Sequence, residues 1–309
     1  MGEVFRGGPS GSNTRSVLCL GRRISSWLPV RATTTAIAVA AIGLPLAVPP
    51  NGIQLMVSEG ALFDDFDGPA GAPPDQAIWD YNLFSGRPPE LQTYTSAPEN
   101  VSLDGEGHLV LAAQQTPAGY TSAEIVTRGK AQFLYGTVSA RIQFPSGQGL
   151  LPQFWLLGAD YAELGWPQCG QTDTMGKLCW PDTGEIDIME APNDGIAYQS
   201  TLHGPTVPPQ PQGWQAAVKA KNLTPIPSTD GFHDYWVHRT VDHIEFGIDG
   251  LITKVFTPEN LPPGAQWVFN KPMYAVFDVA VGNEWTGPPD GSTPFPAVML
   301  VDSFRYTPE

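Results

Sequence analysis

The sequence predicts an all-β domain, a sandwich of two curved antiparallel sheets running from about Leu62 to the C-terminus. Three observations carry this. Glycine (33) and proline (32) are abundant among the 309 residues while charged side chains are only 15%, a balance that suits short strands and many turns rather than a helical bundle. Short apolar or alternating runs recur between turn signals along the chain. No stretch of useful length repeats its apolar residues with helical periodicity.

Taken in order, the expected strands are His108–Ala113, Thr121–Thr127, Gly136–Phe144, Gln153–Leu157, Glu185–Glu190, Tyr198–His203, His243–Ile248, Leu251–Phe256, Met273–Val281 and Met299–Tyr306. Asp104-Gly105, Pro145-Ser146-Gly147 and Asp249-Gly250 punctuate them, the last joining two alternating runs as a two-residue hairpin. Past Pro50 no linker or repeat divides the chain. One domain therefore spans 62–309 behind a short connector, 51–61, and 41% apolar residues suffice for its core.

Residues 1–50 read as an export leader. Arg15, Arg22, Arg23 and Arg31 precede an uncharged stretch from Ala32 to Val48, the basic-then-apolar order of a signal peptide, which predicts a secreted protein. Pro45, Pro49 and Pro50 disfavour a stable spanning helix; a cleaved signal and a retained membrane anchor both stay open. Five arginines and one glutamate give the leader +4, so a whole-chain charge of −15 leaves −19 on residues 51–309. That acidity excludes nucleic acid, disfavours an anionic membrane surface and fits a neutral ligand. Nothing indicates an obligatory protein partner, and a monomer is expected. Cys19 falls in the leader. Cys169 and Cys179 remain as an even pair in an oxidising compartment, and without a histidine cluster they read as a disulfide rather than metal ligands.

Gly184–Pro192 carries three carboxylates on a short apolar run, bounded by Asp182-Thr183-Gly184 and Pro192-Asn193-Asp194-Gly195. A solvated strand face or an acidic helix would give similar spacing, but turn chemistry on both sides leaves only a strand's length. In a strand, Glu185 and Asp187 share one face while Ile186 and Ile188 take the other. Glu190 returns to the acidic face only if a bulge inserts one residue near Ile188-Met189. Three crowded acids must separate their proton affinities, leaving one ionised and another protonated. A double-displacement glycosidase needs such a pair, a nucleophile and a general acid/base. A turn near Asp194 sets His203 opposite Glu185, where it would bond a carboxylate or a ligand hydroxyl, or be satisfied by backbone.

With Gly184–Glu190 in its bulged Glu-x-Asp-x-x-Glu form, the chain resembles the laminarinase-like branch of glycoside hydrolase family 16. The resemblance covers about residues 62–307: Glu90–Thr95, Pro98–Val101, Tyr135-Gly136, Ala140–Ile142, Gly147–Gly158, Gly165–Pro167, Leu202–Gly204, Phe232–Tyr235, Ile248–Gly250, Ala280–Trp285 and Val301–Tyr306 follow in the family's order. It implies a jelly-roll, concanavalin A-like sandwich with an open cleft on the concave face. It also implies retaining endo-hydrolysis of β-1,3-glucan, with mixed β-1,3-1,4-glucan as a further substrate. A cell-wall transglycosylase using the same site, and a non-catalytic β-glucan-binding protein, are the competing readings.

Carried onto this chain, Glu185 is the nucleophile, Glu190 the acid/base, and Asp187 tunes Glu185. Trp155, Trp166 and Trp285 would offer flat faces to sugar rings, Trp155 being equally readable as core. Glu90 and His203 would be further cleft contacts. No cofactor is needed for catalysis. A structural calcium on the opposite face is implied at Asp302, Asp65 and the carbonyl near Gly107, oxygen ligands of the type calcium takes; a surface carboxylate capping backbone amides is the alternative. The chain departs from the family at Pro88-Pro89, where asparagines are usual, at Glu124, where arginine is common, at Glu284, and at Arg239, where tryptophan is usual. Gln171–Asp182 is extra chain. These departures bear on subsites, not on the three acids.

Overall fold

The computed structural model describes residues 60–161, 179–208, 213–219 and 231–309. The leader, most of the connector, Trp166 and Cys169 lie outside the described residues, and with them the signal, anchor and disulfide expectations. Ile53–Glu309 forms one compact unit.

Seventeen strands run through the described residues: β1 (Leu62–Asp64), β2 (Asp80–Tyr81), β3 (Gln92–Tyr94), β4 (Val101–Leu103), β5 (Leu109–Thr116), β6 (Gly119–Ser122), β7 (Glu124–Val126), β8 (Gly136–Gln143), β9 (Leu150–Gly158), β10 (Glu185–Glu190), β11 (Gln199–Gly204), β12 (Trp214–Lys219), β13 (His233–Arg239), β14 (Ile244–Ile248), β15 (Leu251–Phe256), β16 (Met273–Val281) and β17 (Ala297–Thr307). They form a ten-stranded sheet, β15-β14-β13-β8-β17-β5-β6-β3 with β1 on β17 and β4 on β5, and a seven-stranded sheet, β12-β11-β10-β9-β16-β7-β2. The long-range pairings are antiparallel; β3 and β6 run parallel.

One apolar core lies between the sheets. Phe154 and Leu156 of β9, Phe277 and Val279 of β16, Ile186 and Met189 of β10, and Val138, Tyr235, Phe246 and Phe304 of the larger sheet all contribute to it. Central strands β9 and β16 are apolar on both faces. Trp155, Leu157, Tyr274 and Val276 form a second cluster on the outer side of the seven-stranded sheet, with Val126, Tyr161 and Trp180 against it. A sheet buried on both sides reads as a continuous apolar run, which explains the sequence of these two strands.

Two expectations need correction. Thr121–Thr127 is not one strand: β6 joins the larger sheet and β7 the smaller, with buried Ala123 between them. The crossover is held where Ser122 Oγ donates to the Val279 carbonyl at 2.7 Å. Strand β13 was not expected at all. Its alternation is real, with Tyr235, Val237 and Arg239 buried, but an outward Trp236 and an inward arginine disguise it.

Candidate active site

Strand β10 pairs with β9 on one side and β11 on the other, and its register slips on both sides between Asp187 and Glu190. Against β9, Asp187 faces Trp155 and Met189 faces Phe154, so Ile188 is the inserted residue. Ile186, Ile188 and Met189 enter the core, leaving Glu185, Asp187 and Glu190 together on the outer face. The carbonyl that the bulge takes out of the ladder is satisfied, because Ser200 Oγ donates to Ile188 O at 2.8 Å.

The cross-strand rows set each acid's neighbours. Glu185 stands between Leu157 and His203, Asp187 between Trp155 and Thr201, and Glu190 between Gln153 and Gln199. His203 Nε2 lies 3.0 Å from Asp187 Oδ2 and 3.8 Å from Glu185 Oε1. Its approach to Asp187 is off the line of an N–H···O bond, and Oδ2 has no hydrogen-bond partner. Glu190 Oε2 accepts from Thr201 Oγ1 at 2.8 Å, and that threonine is itself held by Gln199.

Burial is the largest influence on all three acids, followed by repulsion from a neighbouring acid. Glu185 is pushed up to about 8 by desolvation and then by Asp187, against smaller opposing effects of His203 and Arg87. Glu190 is likewise pushed up to about 8 by desolvation and Asp187, with Thr201 and Gln153 opposing. Asp187, 2% exposed, is raised well above the carboxylate range by desolvation and by Asp278. Burial thus favours the protonated form of all three, and the two glutamates, both pushed to about 8, are not set apart from each other as expected from the sequence, because desolvation acts on both alike.

Comparison with known proteins settles the family. The family model for glycosyl hydrolases family 16 matches residues 90–294. A β-glucanase of Rhodothermus marinus is 33% identical over 256 residues, covering 78% of this chain and 82% of that protein. The laminarinase catalytic domain of Thermotoga maritima superposes with a TM-score of 0.67 at 29% identity, over 80% of this chain and 97% of that one. The endo-β-1,3-glucanase of Pyrococcus furiosus does so at 0.64 and 32%, over 80% and 93%. The chain belongs to glycoside hydrolase family 16.

It is thus a glycoside hydrolase on a jelly-roll sandwich, and Glu185 of this family 16 enzyme opens onto a pocket of about 230 Å³. Asn82, Arg87, Trp155, Tyr161, Trp180, Glu185 and Tyr274 line it. Of the residues singled out from sequence, β10 and β11 bring Glu185, Asp187, Glu190 and His203 together. Trp155 is only 5% exposed; its Nε1 donates to Asp278 Oδ1 at 2.9 Å, and the Arg87 guanidinium covers its ring at 5.3 Å. Glu90 spends its carboxylate on its own loop, accepting from Arg87 N at 2.8 Å and Gln92 Nε2 at 2.9 Å. Trp285 is 41% exposed on the Asn283–Gly287 turn.

Sequence reasoning missed Arg87, Asn82, Trp180 and Tyr274. It noted the two departures that reveal Arg87, Pro88-Pro89 and Glu124, without joining them. Glu124 is fully buried on β7 and binds Arg87 through both oxygens, at 2.8 and 3.1 Å, while Asn82 Nδ2 donates to it at 2.6 Å. Arg87 enters this wall from the β2–β3 loop and is neutralised by a carboxylate on the strand. The fork uses two of five guanidinium N–H groups, leaving donors for a bound sugar.

One further departure resolves as structure. Arg239 is 1% exposed and donates to the carbonyls of Phe133, Phe269 and Lys271; burial brings it down to about 10. Asp302, Asp65 and Gly107 line one depression on the outer face of the ten-stranded sheet. Their carboxylate and carbonyl oxygens fit a hard cation, although Arg141 Nε, 3.7 Å from Asp302 Oδ2, would share that carboxylate with it. In the cleft, ligand-type atoms of Glu185, Asp187 and His203 lie within 4.8 Å of one another.

Proposed function

We propose that this enzyme is an exported, retaining endo-β-1,3-glucanase. The observation that supports it best is the bulged strand β10, which sets Glu185 and Glu190 on one face with buried Asp187 between them. In the ionised form Glu185 attacks the anomeric carbon and forms an ester as the glycosidic C–O bond breaks. Glu190, protonated at neutral pH, gives its proton to the departing oxygen. It then removes a proton from water, whose oxygen attacks the same carbon and frees Glu185. Asp187 donates its proton toward the Glu185 carboxylate as charge returns, and His203 lies within reach of both. The β-glucanase and laminarinase relatives support a β-glucan as substrate; Arg87, charge-compensated by Glu124, supports a neutral one.

The test is product analysis with laminarin, mixed-linkage glucan and agarose, beside Glu185→Gln. Short oligosaccharides from laminarin, with at least about a thousandfold loss in the variant, are expected. Full activity in Glu185→Gln would move the nucleophile elsewhere. Products longer than the starting oligosaccharides would make it a transglycosylase. Export is checked by finding the mature chain in culture fluid without residues 1–50; intact protein confined to the cell would contradict it.

A further inference from the structure

A depression of about 950 Å³ lies on the outer face of the ten-stranded sheet, across the sandwich from the acids. One row of side chains crosses it. Trp236 on β13 stands opposite Ser139 on β8, Ser139 opposite Arg305 on β17, and Arg305 opposite Phe63 on β1. Three inter-strand steps give a row roughly 14 Å long. The two aromatic ends are arranged differently. The Trp236 indole lies across Gly247 of β14, where a Cβ would collide with its six-membered ring, and its Nε1 donates to Asp249 O at 3.0 Å. The ring is therefore held flat on the sheet. At the other end Phe63 is 50% exposed and carries the Arg305 guanidinium 4.9 Å from its ring centre. Beside the row, Arg141 reaches Asp234 at 3.5 Å and Asp302 at 3.7 Å.

With one face on Gly247, the Trp236 ring offers a flat apolar surface to the depression that it lines. Acidic side chains outnumber Arg141 and Arg305 around it, which opposes an anionic ligand. Flat rings flanked by carboxylates and guanidinium groups match a neutral polyol, whose ring faces are apolar and whose edges exchange hydrogen bonds. We propose that this row is a second, non-catalytic binding site for a neutral β-glucan chain, lying across the strands from Trp236 to Phe63. The choice of β-glucan rests on the function proposed above. The site would hold the enzyme on an insoluble polysaccharide while the opposite face cuts.

The test uses the full chain and Trp236→Ala. Two readouts are compared: retention on insoluble β-1,3-glucan, and kcat/KM on a soluble laminari-pentasaccharide. Retention about tenfold weaker with unchanged soluble kinetics is expected. Unchanged retention overturns the proposal, as does an equal loss in both assays by a folded variant. Should Trp236→Ala not fold, Phe63→Ser and Arg305→Ala are read in the same way, both side chains being exposed. A wild-type protein that cleaves but is insensitive to these changes refutes this site alone. A wild-type protein that cleaves no β-glucan refutes the proposed function instead.

Discussion

Replacing Glu190 by glutamine should make the protein more stable at alkaline pH, and by a calculable amount. Glu190 is 8% exposed and raised from 4.5 to about 8. Between those values the unfolded chain has released a proton that the folded chain still holds. Folded protein binding more protons means that stability falls as pH rises, with the loss complete above the folded value. At about 1.4 kcal/mol per pH unit the interval corresponds to roughly 5 kcal/mol. Because Glu185 and Asp187 share the cluster, part of that belongs to their protons, and about 2–4 kcal/mol is expected for Glu190 alone. Glutamine is neutral, similar in shape, and keeps an oxygen for Thr201 Oγ1. Urea unfolding followed by tryptophan fluorescence at pH 5 and pH 9 supplies the comparison. The wild type should lose at least about 2 kcal/mol more than Glu190→Gln over that range. Parallel losses in the two proteins would refute the reasoning, since they would mean that Glu190 is ionised in the folded state at ordinary carboxylate pH.

Arg87→Met should destabilise by leaving Glu124 buried without its cation, while Arg87→Met with Glu124→Gln should recover much of the loss; a double-mutant cycle should give a coupling of about 1–3 kcal/mol, and a value near zero would mean that the fork is incidental. The same Arg87→Met protein should show a raised KM on laminarin oligosaccharides, checked by steady-state kinetics. Arg239→Ala should cost about 3–5 kcal/mol in urea unfolding, since three carbonyls lose their donor; a loss below about 1 kcal/mol would mean that water replaces the guanidinium at no cost. We also propose that calcium binds at Asp302, Asp65 and Gly107: saturating calcium should raise Tm by a few degrees (about 2–4 °C per kcal/mol of binding) in the wild type and not in Asp302→Asn. An equal rise in both would place the ion elsewhere.

Strand β10 was legible because everything needed to read it is local. Alternation puts Glu185 and Asp187 on one side, the position of Glu190 demands one inserted residue, and the flanking turns limit the run to a strand. His203 followed from counting back across a turn, and it pairs in register with Glu185. The Trp155 ambiguity was equally local in origin, since the sequence shows an apolar run and not which side of the sheet is covered. The structure answers that both sides are: Phe154 enters the core, and Trp155 lies under Arg87 on the cleft side.

By itself the sequence determined the fold class, the family and the acidic face of one strand, because alternation and turn chemistry act over a few residues. The tertiary structure decided what surrounds that face. Arg87 and Glu124 stand 37 residues apart and meet only because β7 lies at the far side of β16 beneath the loop after β2. Phe63, Ser139, Trp236 and Arg305 come from four strands far apart in the chain and share a row only through antiparallel register. Burial, which raises the acids, is also set by distant chain. Side-chain direction along a strand repeats every two residues and can be read from the letters; which strands become neighbours depends on the packing of the whole core.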